Sequence, residues 1–375
     1  MKITRIRLRN WKNFGNTEAG LCSRTFIVGP NASGKSNFLD VFRFLCDVSN
    51  GRLQDAIADR GGMSKIRCLA ATKFTNIIIE VDLSDTNDKW TYTLEFGNKG
   101  QEKPHVIKEI VKKNDQVIIQ RPDGEDKKDK VRLSQTYLEQ VSTNAAFREI
   151  AGYFQSFRYL HIIPQLIRHS DGINGAGAWD AYGRNFLETI AETKEKTRDS
   201  RLKKIEKILT QAVPQLKDLK LDDTKPVKPH LTALYKHWRS NLARQREDQF
   251  SDGTLRLIGM LWVLLEDNSL LLLEEPELSL NQGIIEKIPA MMYGVLKDKN
   301  TQQVLVSTHS ADLLSDKSIG GEEVLLLVPG ENGTKIETAS NDKQIRALLE
   351  GGMSVADAVM PVTKPENLYQ MDLTK

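Results

Sequence analysis

The sequence predicts an α/β protein in which helices cover both faces of a parallel β-sheet, with an antiparallel β lobe and a helical segment inserted into the chain. Short and almost wholly apolar strands, such as residues 25–28, 270–273 and 303–307, alternate with helical patterns near both ends of the chain. Strands buried on both faces are typical of parallel sheets. Residues 75–121 instead alternate with period two, which favours antiparallel strands, and residues 136–247 are mainly helical in pattern.

Composition and charge exclude several classes of protein. The 375 residues carry 53 Lys and Arg against 50 Asp and Glu, so the net charge of +3 excludes a chain-wide basic field. Hydrophobic residues make up 39% and charged residues 27%, which excludes disorder throughout. No apolar run is long enough to span a membrane, and the N-terminus lacks the apolar region of a signal peptide. The cysteines Cys22, Cys46 and Cys68 fit neither a metal motif nor a disulfide framework, so we expect a cytoplasmic protein that does not bind a membrane.

The first third of the chain predicts a strand, a turn, a second strand and a helix, followed by the β lobe. Residues 3–9 alternate apolar and basic side chains, residues 13–20 form a polar turn region, residues 25–28 form a short strand, and residues 37–48 an amphipathic helix. Antiparallel strands are then expected at residues 75–83, 90–96, 106–112 and 117–121. The charge run of residues 123–130 predicts a solvated hairpin tip.

The remainder of the chain predicts mostly helices and then a return to α/β alternation. We expect helices at residues 186–213, 231–246, 252–265, 281–296 and 343–349, and strands at residues 157–163, 270–273, 303–307 and 324–328. These patterns predict a discontinuous core of residues 1–60 and 248–340, a β lobe of residues 61–135, a helical insertion of residues 136–247, and a C-terminal helix and tail of residues 341–375.

A glycine-rich loop follows the strand of residues 25–28. Residues 29–36, Gly-Pro-Asn-Ala-Ser-Gly-Lys-Ser, fit the pattern GxxxxGK[ST] between a strand and a helix. Backbone N–H groups of such a loop can surround phosphate oxygens, Lys35 can supply positive charge to them, and the hydroxyl of Ser36 can bind Mg²⁺. The alternative is a glycine-rich turn without a ligand. The candidate nucleotide-binding residues are Asn31, Ala32, Ser33, Gly34, Lys35, Ser36 and Asn37.

Two carboxylates, Glu274 and Glu275, follow the buried strand of residues 270–273. In open α/β sheets, ligands bind at the carboxyl ends of the strands. One carboxylate can hold Mg²⁺, and its neighbour can orient or deprotonate the water that attacks a γ-phosphate. The alternative is a solvated strand end, which the presence of the glycine-rich loop in the same chain disfavours.

Two further polar elements complete the set of candidates. Ser251 and Gly253 begin a predicted helix, where a hydroxyl and backbone N–H groups can form a second anion site, and a plain helix N-cap is the alternative. His309 follows the strand of residues 303–307 and can contact the γ-phosphate or the attacking water, with a structural histidine as the alternative.

The four elements in this order resemble the ABC-type ATPases of the RecF/SMC branch. Residues 29–36 are similar to their Walker A motif, residues 251–254 to their signature motif, residues 270–275 to their Walker B motif, and His309 to their switch histidine. Within that branch, the segment Asn-Trp-Lys-Asn-Phe after the opening strand, the signature Ser-Asp-Gly-Thr, and Glu-Glu-Pro-Glu look most like the OLD-like AAA-family ATPases found beside bacterial anti-phage defence genes.

The resemblance covers residues 1–50 and 248–330, and it implies a P-loop ABC-type ATPase head that binds ATP and Mg²⁺ and hydrolyses ATP. It implies that Ser36 and Glu274 hold Mg²⁺ and that Glu275 and His309 are the catalytic residues. It implies a homodimer or a higher even-numbered oligomer, in which Ser251 and Gly253 of one copy face the ATP held by another copy. It also implies a separately encoded effector, such as a nuclease, as a partner.

Some features depart from the family pattern. The first acid of the Walker B motif is Glu274, where most ABC ATPases have Asp, and the D-loop of residues 278–281 lacks their His-Pro. Gln165 lies in a suggestive Pro-Gln-Leu-Ile-Arg segment, but no Q-loop glutamine is assigned. Because the stretch after His309 is short and has no Asp-x-Asp cluster, we expect no Toprim nuclease domain.

Two alternatives to an effector-controlling ATPase stay open. A RecF/SMC-like DNA-repair ATPase would bind DNA directly, with the basic residues of segments 194–207 and 239–246 along the DNA path, whereas solvated helix faces would also explain those charges. A nucleotide-gated scaffold would bind ATP and barely hydrolyse it. Glu275 argues against the scaffold, because a pure binder does not need a water-orienting acid.

Overall fold

The computed structural model describes residues 1–98, 100, 102–169, 180–222, 228–236, 242–299 and 302–364. The strands are β1 Lys2–Trp11, β2 Phe14–Gly20, β3 Arg24–Val28, β4 Ile77–Ser84, β5 Lys89–Gly97, β6 His105–Lys113, β7 Gln116–Arg121, β8 Arg158–Leu160, β9 Leu216–Asp222, β10 His230–Lys236, β11 Leu242–Arg246, β12 Leu270–Glu274, β13 Gln303–Ser307, β14 Val324–Val328 and β15 Lys335–Thr338. The α-helices are α1 Lys35–Asn50, α2 Leu53–Ala58, α3 Met63–Ile66, α4 Gly124–Lys128, α5 Arg148–Gln155, α6 Pro164–Arg168, α7 Phe186–Glu192, α8 Glu195–Ala212, α9 Asp252–Leu265, α10 Gln282–Ile285, α11 Ile288–Asp298, α12 Ala311–Leu314, α13 Lys343–Glu350 and α14 Val355–Val359.

A six-stranded, mainly parallel sheet lies at the centre of the fold, with the strand order β15-β14-β3-β13-β12-β8. The five strands from β14 to β8 pair in parallel, and β15 pairs antiparallel with β14 at one edge. Almost every residue of β3, β12, β13 and β14 is buried, as expected for strands that are covered on both faces. The predicted α/β class is therefore confirmed, together with the three apolar strands that predicted it.

This central sheet separates two hydrophobic clusters. On one face, Leu270 and Leu272 pack in a cluster with α1, α5 and the antiparallel sheet of the β lobe. On the other face, Leu271 and Leu273 pack in a cluster with α7, α8, α9 and α11. Neighbouring leucines of β12 thus enter different clusters, because successive side chains of a strand point to opposite faces.

The β lobe is a six-stranded antiparallel sheet in the order β2-β1-β4-β5-β6-β7. The four predicted antiparallel strands are present as β4 to β7. The predicted polar turn over residues 13–20 is wrong, because β2 pairs with β1 along this segment and buries Phe14 and Ala19 while its polar side chains stay outward. Strands β1 and β2 belong to this sheet, although they come before residue 61, where the β lobe is predicted to begin. The sheet therefore crosses that predicted boundary, and the domain limits stay a prediction.

Where the structure describes residues 136–247, the segment predicted as a helical insertion contains four strands as well as helices. The helix predicted over residues 231–246 is wrong: β10 and β11 are strands that form a three-stranded antiparallel sheet with β9. Period-two alternation places Leu231 and Ala233 in the cluster with α8, which a helix would not do. Strand β8 belongs to the central sheet, and the long helix predicted over residues 186–213 is divided into α7 and α8.

The charge run of residues 123–130 does not form the solvated hairpin tip that its composition predicts. It forms the short helix α4, and the carboxylate of Asp126 is only 1% exposed. The buried guanidinium of Arg121 donates to both carboxylate oxygens of Asp126, from Nε and Nη2, each at 2.9 Å. The Arg121 guanidinium holds the pKa of Asp126 down to about 2, with burial opposing the shift.

The C-terminal region begins with α13, where a helix is expected, and continues with α14. Residues 365–375 of the expected tail lie outside the described residues. Within the described part of the chain, every helix is too short or too polar to cross a membrane.

Replacing Asp126 with Asn should destabilise the fold by about 2 kcal/mol at pH 7, since one pKa unit corresponds to about 1.4 kcal/mol. The folded pKa of Asp126 is depressed to about 2, so its contribution is complete above about pH 4 and is lost as the pH falls toward 2. Urea unfolding of both chains between pH 3 and 7 measures the difference. Glu125→Gln, on the exposed side of the same helix, is the matched control and should change stability by less than about 0.5 kcal/mol. An Asp126→Asn chain as stable as the control would contradict the role of the buried pair.

Candidate nucleotide-binding site

The glycine-rich loop of residues 29–34 joins the end of β3 to the start of α1. Gly34 has a φ of 101°, in the left-handed region, and a Cβ at this position would lie 2.1 Å from Nδ2 of Asn13, so only glycine fits. No side chain caps the N-terminus of α1. The first N–H groups of the helix are therefore left for a ligand, and together with the helix dipole they favour an anion.

Two side chains that the sequence analysis missed hold this loop in place. The Nδ2 of Asn13 and the hydroxyl of Thr334 both donate to the carbonyl of Ser33, at 2.7 and 3.0 Å. Asn37 donates to Oδ1 of Asn13 at 2.8 Å, so the start of α1 is tied to the same point. The loop is thereby fixed from the β lobe and from the segment before β15, which lie far from it in the sequence.

Lys35 is buried beneath the loop. Its side chain is 7% exposed, and Nζ donates to the carbonyls of Gly29 and Pro30 at 3.0 and 3.2 Å. Burial lowers the pKa of Lys35, and the charges of Glu275 and Glu274 oppose that shift. The ammonium group is thus placed where the loop can present it to phosphate oxygens.

Ser36 and Glu274, the two residues predicted to hold Mg²⁺, are in contact. The hydroxyl of Ser36 donates to Oε1 of Glu274 at 2.5 Å, and the hydroxyl of Tyr159 donates to Oε2. Hydroxyl and carboxylate oxygens are ligands that Mg²⁺ prefers, and Mg²⁺ usually takes its remaining ligands from phosphates and water. Among the described residues no group of three His, Cys, Asp or Glu side chains could hold a metal by itself.

Glu275 and His309 lie on adjacent loops at the same edge of the central sheet. Nε2 of His309 is 3.5 Å from Oε1 of Glu275, and the backbone N–H of Glu275 donates to the carbonyl of Ser307. Burial and the charge of Lys35 lower the pKa of His309, with Glu275 opposing the shift. The imidazole is therefore mostly neutral at pH 7 and can accept as well as donate a hydrogen bond.

The loop that carries His309 is anchored by the buried carboxylate of Glu277. Its Oε1 accepts hydrogen bonds from the hydroxyl of Thr308 at 2.6 Å and from the backbone N–H of His309 at 3.2 Å. Burial raises the pKa of Glu277. Glu277, the last residue of the Glu-Glu-Pro-Glu segment, thus has a structural role that the sequence did not reveal.

Ser251 and Gly253 are not brought to the loop of their own chain. Ser251 is exposed and caps α9, where its hydroxyl accepts from the N–H of Thr254 at 3.2 Å. A Cβ on Gly253 would lie 2.4 Å from the carbonyl oxygen of Ser279, so glycine allows α9 to pack closely on the D-loop. Gln165 lies beside this helix, with Nε2 at 3.5 Å from Oδ2 of Asp252.

A polar pocket of about 660 Å³ opens beside Ser36 and Glu274 and includes side chains that the sequence analysis did not select. Tyr159 and His161 come from β8 and the residues after it, and His161 Nδ1 is 3.3 Å from the carbonyl oxygen of Glu274. The sequence contains only a weak signal for these two residues. Residues 157–163 are predicted as a strand, but the pairing of this strand with β12 cannot be predicted from its own sequence.

Comparison with known proteins identifies the family. The AAA_21 family model, described as "AAA domain, putative AbiEii toxin, Type IV TA system", matches residues 24–316. The chain belongs to this family. It is therefore a P-loop ATPase-family protein of the ABC type, as the motifs predict, and members of such families bind nucleotides and usually Mg²⁺. The finer OLD-like assignment, and the absence of a Toprim domain, stay predictions.

One curated relative and two solved structures add to this result. The chain is 31% identical over 130 residues to the energy-coupling factor transporter ATP-binding protein EcfA2 of Listeria monocytogenes serotype 4b (strain F2365), a match that covers 34% of this chain and 43% of that protein. The chain thus spans less than half the length of that relative.

An SMC head bound to the C-terminal winged-helix domain of ScpA superposes with a TM-score of 0.55 at 14% identity, covering 90% of this chain and 98% of that one. An SMC head with an extended coiled coil, bound to the C-terminal domain of ScpA derived from Pyrococcus furiosus, gives a TM-score of 0.51 at 13% identity, covering 94% and 99%. At these identities the likeness establishes the fold alone, which is that of an SMC-type head.

Replacing Asn13 with Ala should weaken ATP binding about fivefold, because the carbonyl of Ser33 and the start of α1 each lose a hydrogen bond and one such bond contributes about 1 kcal/mol net. Equilibrium titration with a fluorescent ATP analogue measures the affinity. Asn50→Ala, at the other end of α1, is the control and should leave the affinity unchanged. Equal affinities of the Asn13 variant and the control would show that the loop does not depend on this tether.

Proposed function

We propose that this chain binds ATP with Mg²⁺ at residues 29–36 and hydrolyses it, and that ATP-dependent pairing of two copies controls a separately encoded effector, such as a nuclease, in bacterial anti-phage defence. The observation that carries the proposal is the contact of Ser36 with Glu274 at 2.5 Å, directly after the buried Lys35. A hydroxyl, a carboxylate and an ammonium group at an uncapped helix N-terminus together suit a nucleoside triphosphate with its cation.

Each side chain has a separate task in this mechanism. The loop N–H groups and Lys35 bind the phosphates, and Ser36 and Glu274 hold Mg²⁺. Bound Mg²⁺ would neutralise charge that develops on the β- and γ-phosphates. Glu275, whose carboxylate is partly exposed beside His309, orients the attacking water or accepts its proton, and neutral His309 contacts the γ-phosphate or that water.

The position of Ser251 supports a site shared by two copies. Ser251 is exposed and the first turn of α9 is partly exposed, and among the described residues the Ser251 hydroxyl bonds to Thr254 and not to the loop of residues 29–36, although this N-terminus has the form of an anion site. A second copy that faces the loop would bring this N-terminus to the γ-phosphate. Loss of that phosphate on hydrolysis would remove the bridge, so that a local change of charge would loosen the pair.

Control of an effector rests on the family and not on the geometry. The family description names a putative AbiEii toxin and a type IV TA system, which supports a role beside another gene product. The identity of that product and its activity as a nuclease are part of the proposal. Co-purification of this chain with the products of neighbouring genes would test which protein is the partner.

The composite site predicts a change of mass. Glu275→Gln should block hydrolysis, and the mass of this variant by light scattering should double when Mg-ATP is added. Adding Ser251→Arg should abolish the doubling, because a bulky cation would replace the hydroxyl at the shared face. Ser354→Arg, at the partly exposed N-cap of α14, is the matched control and should leave the doubling intact. A chain that stays monomeric with ATP would contradict the shared site.

Turnover separates an ATPase from a nucleotide-gated scaffold. Glu275→Gln should lower kcat on the order of 100-fold, since a general base contributes at least that much, while the ATP affinity changes less than about threefold. Phosphate release and analogue binding, measured on the same preparations, check both numbers. If the unaltered chain turns over ATP no faster than Glu275→Gln, the scaffold is the better description.

A second candidate function, direct binding of nucleic acid, is favoured by the positive charge of one segment of the chain, residues 194–246. Residues 194–246 carry 15 Lys and Arg against 6 Asp and Glu, although the chain as a whole is nearly balanced. Within this segment the sheet of β9, β10 and β11 has a basic face, defined by the exposed residues Lys217, Lys220, Arg244 and Arg246. The carboxylate of Asp218 forms ion pairs with Lys220 and Arg244, and the face keeps an excess of positive charge. Such a face suits the phosphate backbone of a nucleic acid.

The strand register builds this basic face. Lys217 and Arg244 both pair with Leu234, and Lys220 and Arg246 both pair with Thr232. Directly paired residues share a face, and so do residues two apart on one strand, so all four cations point to the same side. Lys217 and Lys220 are three residues apart and would point to opposite faces of a regular strand. A shift in the register of β9 and β10 beside Asp218, whose φ is 54°, brings both lysines onto one face.

The double variant Lys217→Glu/Arg244→Glu should weaken binding to a duplex DNA at least tenfold at 100 mM salt. The slope of log K against log salt should fall by about 2, one for each lost phosphate contact. Fluorescence anisotropy in a salt series measures both. Lys108→Glu/Lys335→Glu makes the same change of net charge on exposed positions of the other two sheets and should have little effect. Equal losses in both double variants, or no binding at low salt, would exclude this face as a nucleic-acid site.

A further inference from the structure

The carboxylate of Glu274 is held from two sides. Ser36 donates to Oε1 at 2.5 Å, and the hydroxyl of Tyr159 donates to Oε2. The pairing of β8 with β12 sets Tyr159 opposite Leu272, two residues before Glu274. The side chains of Tyr159 and Glu274 therefore project from the same face of the central sheet, toward α1.

Tyr159 is itself held by the helix that carries Ser36. The guanidinium carbon of Arg43, two helical turns after Ser36, lies 4.1 Å from the centroid of the Tyr159 ring. The ring of Tyr182 meets Tyr159 edge to face at 6.5 Å, and Tyr159 as a whole is 8% exposed. The hydroxyl is thus aimed at Glu274 by packing from α1, from β8 and from residue 182.

A glutamate at the end of β12 makes such a donor useful. Its side chain has one more rotatable bond than the aspartate found in most ABC ATPases, so its carboxylate has more orientations to lose when it holds a cation. Groups that hydrogen-bond to a ligating side chain orient it, and their loss typically weakens metal binding 10- to 100-fold. Tyr159 is placed to do this for the oxygen that Ser36 does not contact.

We propose that Tyr159 is a positioning residue for the cation: by holding Oε2 of Glu274 it keeps Oε1 directed at Ser36 and sets the affinity of the site for Mg²⁺. This role rests on the proposed nucleotide site. Tyr159 acts through Glu274 and does not itself touch the cation or the nucleotide.

The test is the Mg²⁺ dependence of ATP binding, measured in the Glu275→Gln background, where turnover is blocked. Tyr159→Phe removes only the hydroxyl and keeps the ring that packs on Arg43. We expect the half-saturating Mg²⁺ concentration to rise about tenfold, with the affinity for a fluorescent ATP analogue at saturating Mg²⁺ within about twofold. Electron paramagnetic resonance with Mn²⁺ in place of Mg²⁺ gives the same comparison by a direct signal from the bound cation.

Two controls separate positioning from a structural role. Tyr182→Phe removes a hydroxyl from the same pocket and should leave the Mg²⁺ dependence unchanged. Combined with Glu274→Ala, Tyr159→Phe should have no further effect on the half-saturating Mg²⁺ concentration, because the oxygen that accepts from the Tyr159 hydroxyl is gone. The melting temperature of Tyr159→Phe without ligands should match that of the parent chain.

The outcomes are distinct. An unchanged Mg²⁺ dependence in Tyr159→Phe, an equal shift in Tyr182→Phe, or a shift that persists with Glu274→Ala would each overturn the positioning role while leaving the nucleotide site intact. A parent chain that binds no ATP at any Mg²⁺ concentration would overturn the proposed function, and with it the role of Tyr159.

Discussion

The structure depends on one constraint, the in-register parallel pairing of β3, β13 and β12. Ser307 lies opposite Glu274 on one side and opposite Ile27 on the other. Three strands therefore end at one edge. Glu274 is the last residue of β12, and the segments after the three strands carry the glycine-rich loop, Glu275 and His309. Because the side chains of these strands are buried on both faces, a slip of one register would exchange the two hydrophobic clusters as well as separate Ser36 from Glu274. Packing of the core and geometry of the site are thus fixed by the same pairing.

Helix α1 connects this edge to the rest of the molecule. It lies between the central sheet and the antiparallel sheet, and the rings of Phe38 and Phe44 pack against Phe14 and Trp11 of the β lobe. The indole N–H of Trp11 donates to the carbonyl of Asn37 at 3.0 Å, so the first turn of the helix is fixed where the candidate phosphate site begins. The β lobe therefore contributes directly to the candidate site, since Asn13 binds the glycine-rich loop and Trp11 binds the first turn of α1.

Sequence patterns predicted the structure correctly where local interactions determine it. They failed where the structure depends on the pairing of strands that are distant in the sequence. Residues 252–265 form the predicted helix, and the loop with Lys35 and Ser36 lies where its pattern predicts, because caps, glycines and apolar spacing are local signals. Residues 14–20 and 230–236 look polar or ambiguous in isolation and become strands because neighbours supply their hydrogen bonds. Tyr159 and Asn13 were missed for the same reason: each reaches the site through a contact with residues more than 15 positions away in the chain.

The short segment after β12 joins the two halves of the proposed mechanism. Glu275 and Ser279 both have positive φ, at 44° and 62°, so the segment turns sharply and can touch two neighbours at once. On one side Glu277 binds the loop of His309, and on the other the carbonyl of Ser279 lies where only a glycine at position 253 leaves room for α9. We therefore expect a change at the γ-phosphate that moves His309 to be passed through Glu277 and Ser279 to the helix that is proposed to face a second copy. In the proposed cycle, the close packing at Gly253 would make the pairing of two chains sensitive to the state of the nucleotide, because tightly packed contacts transmit a displacement.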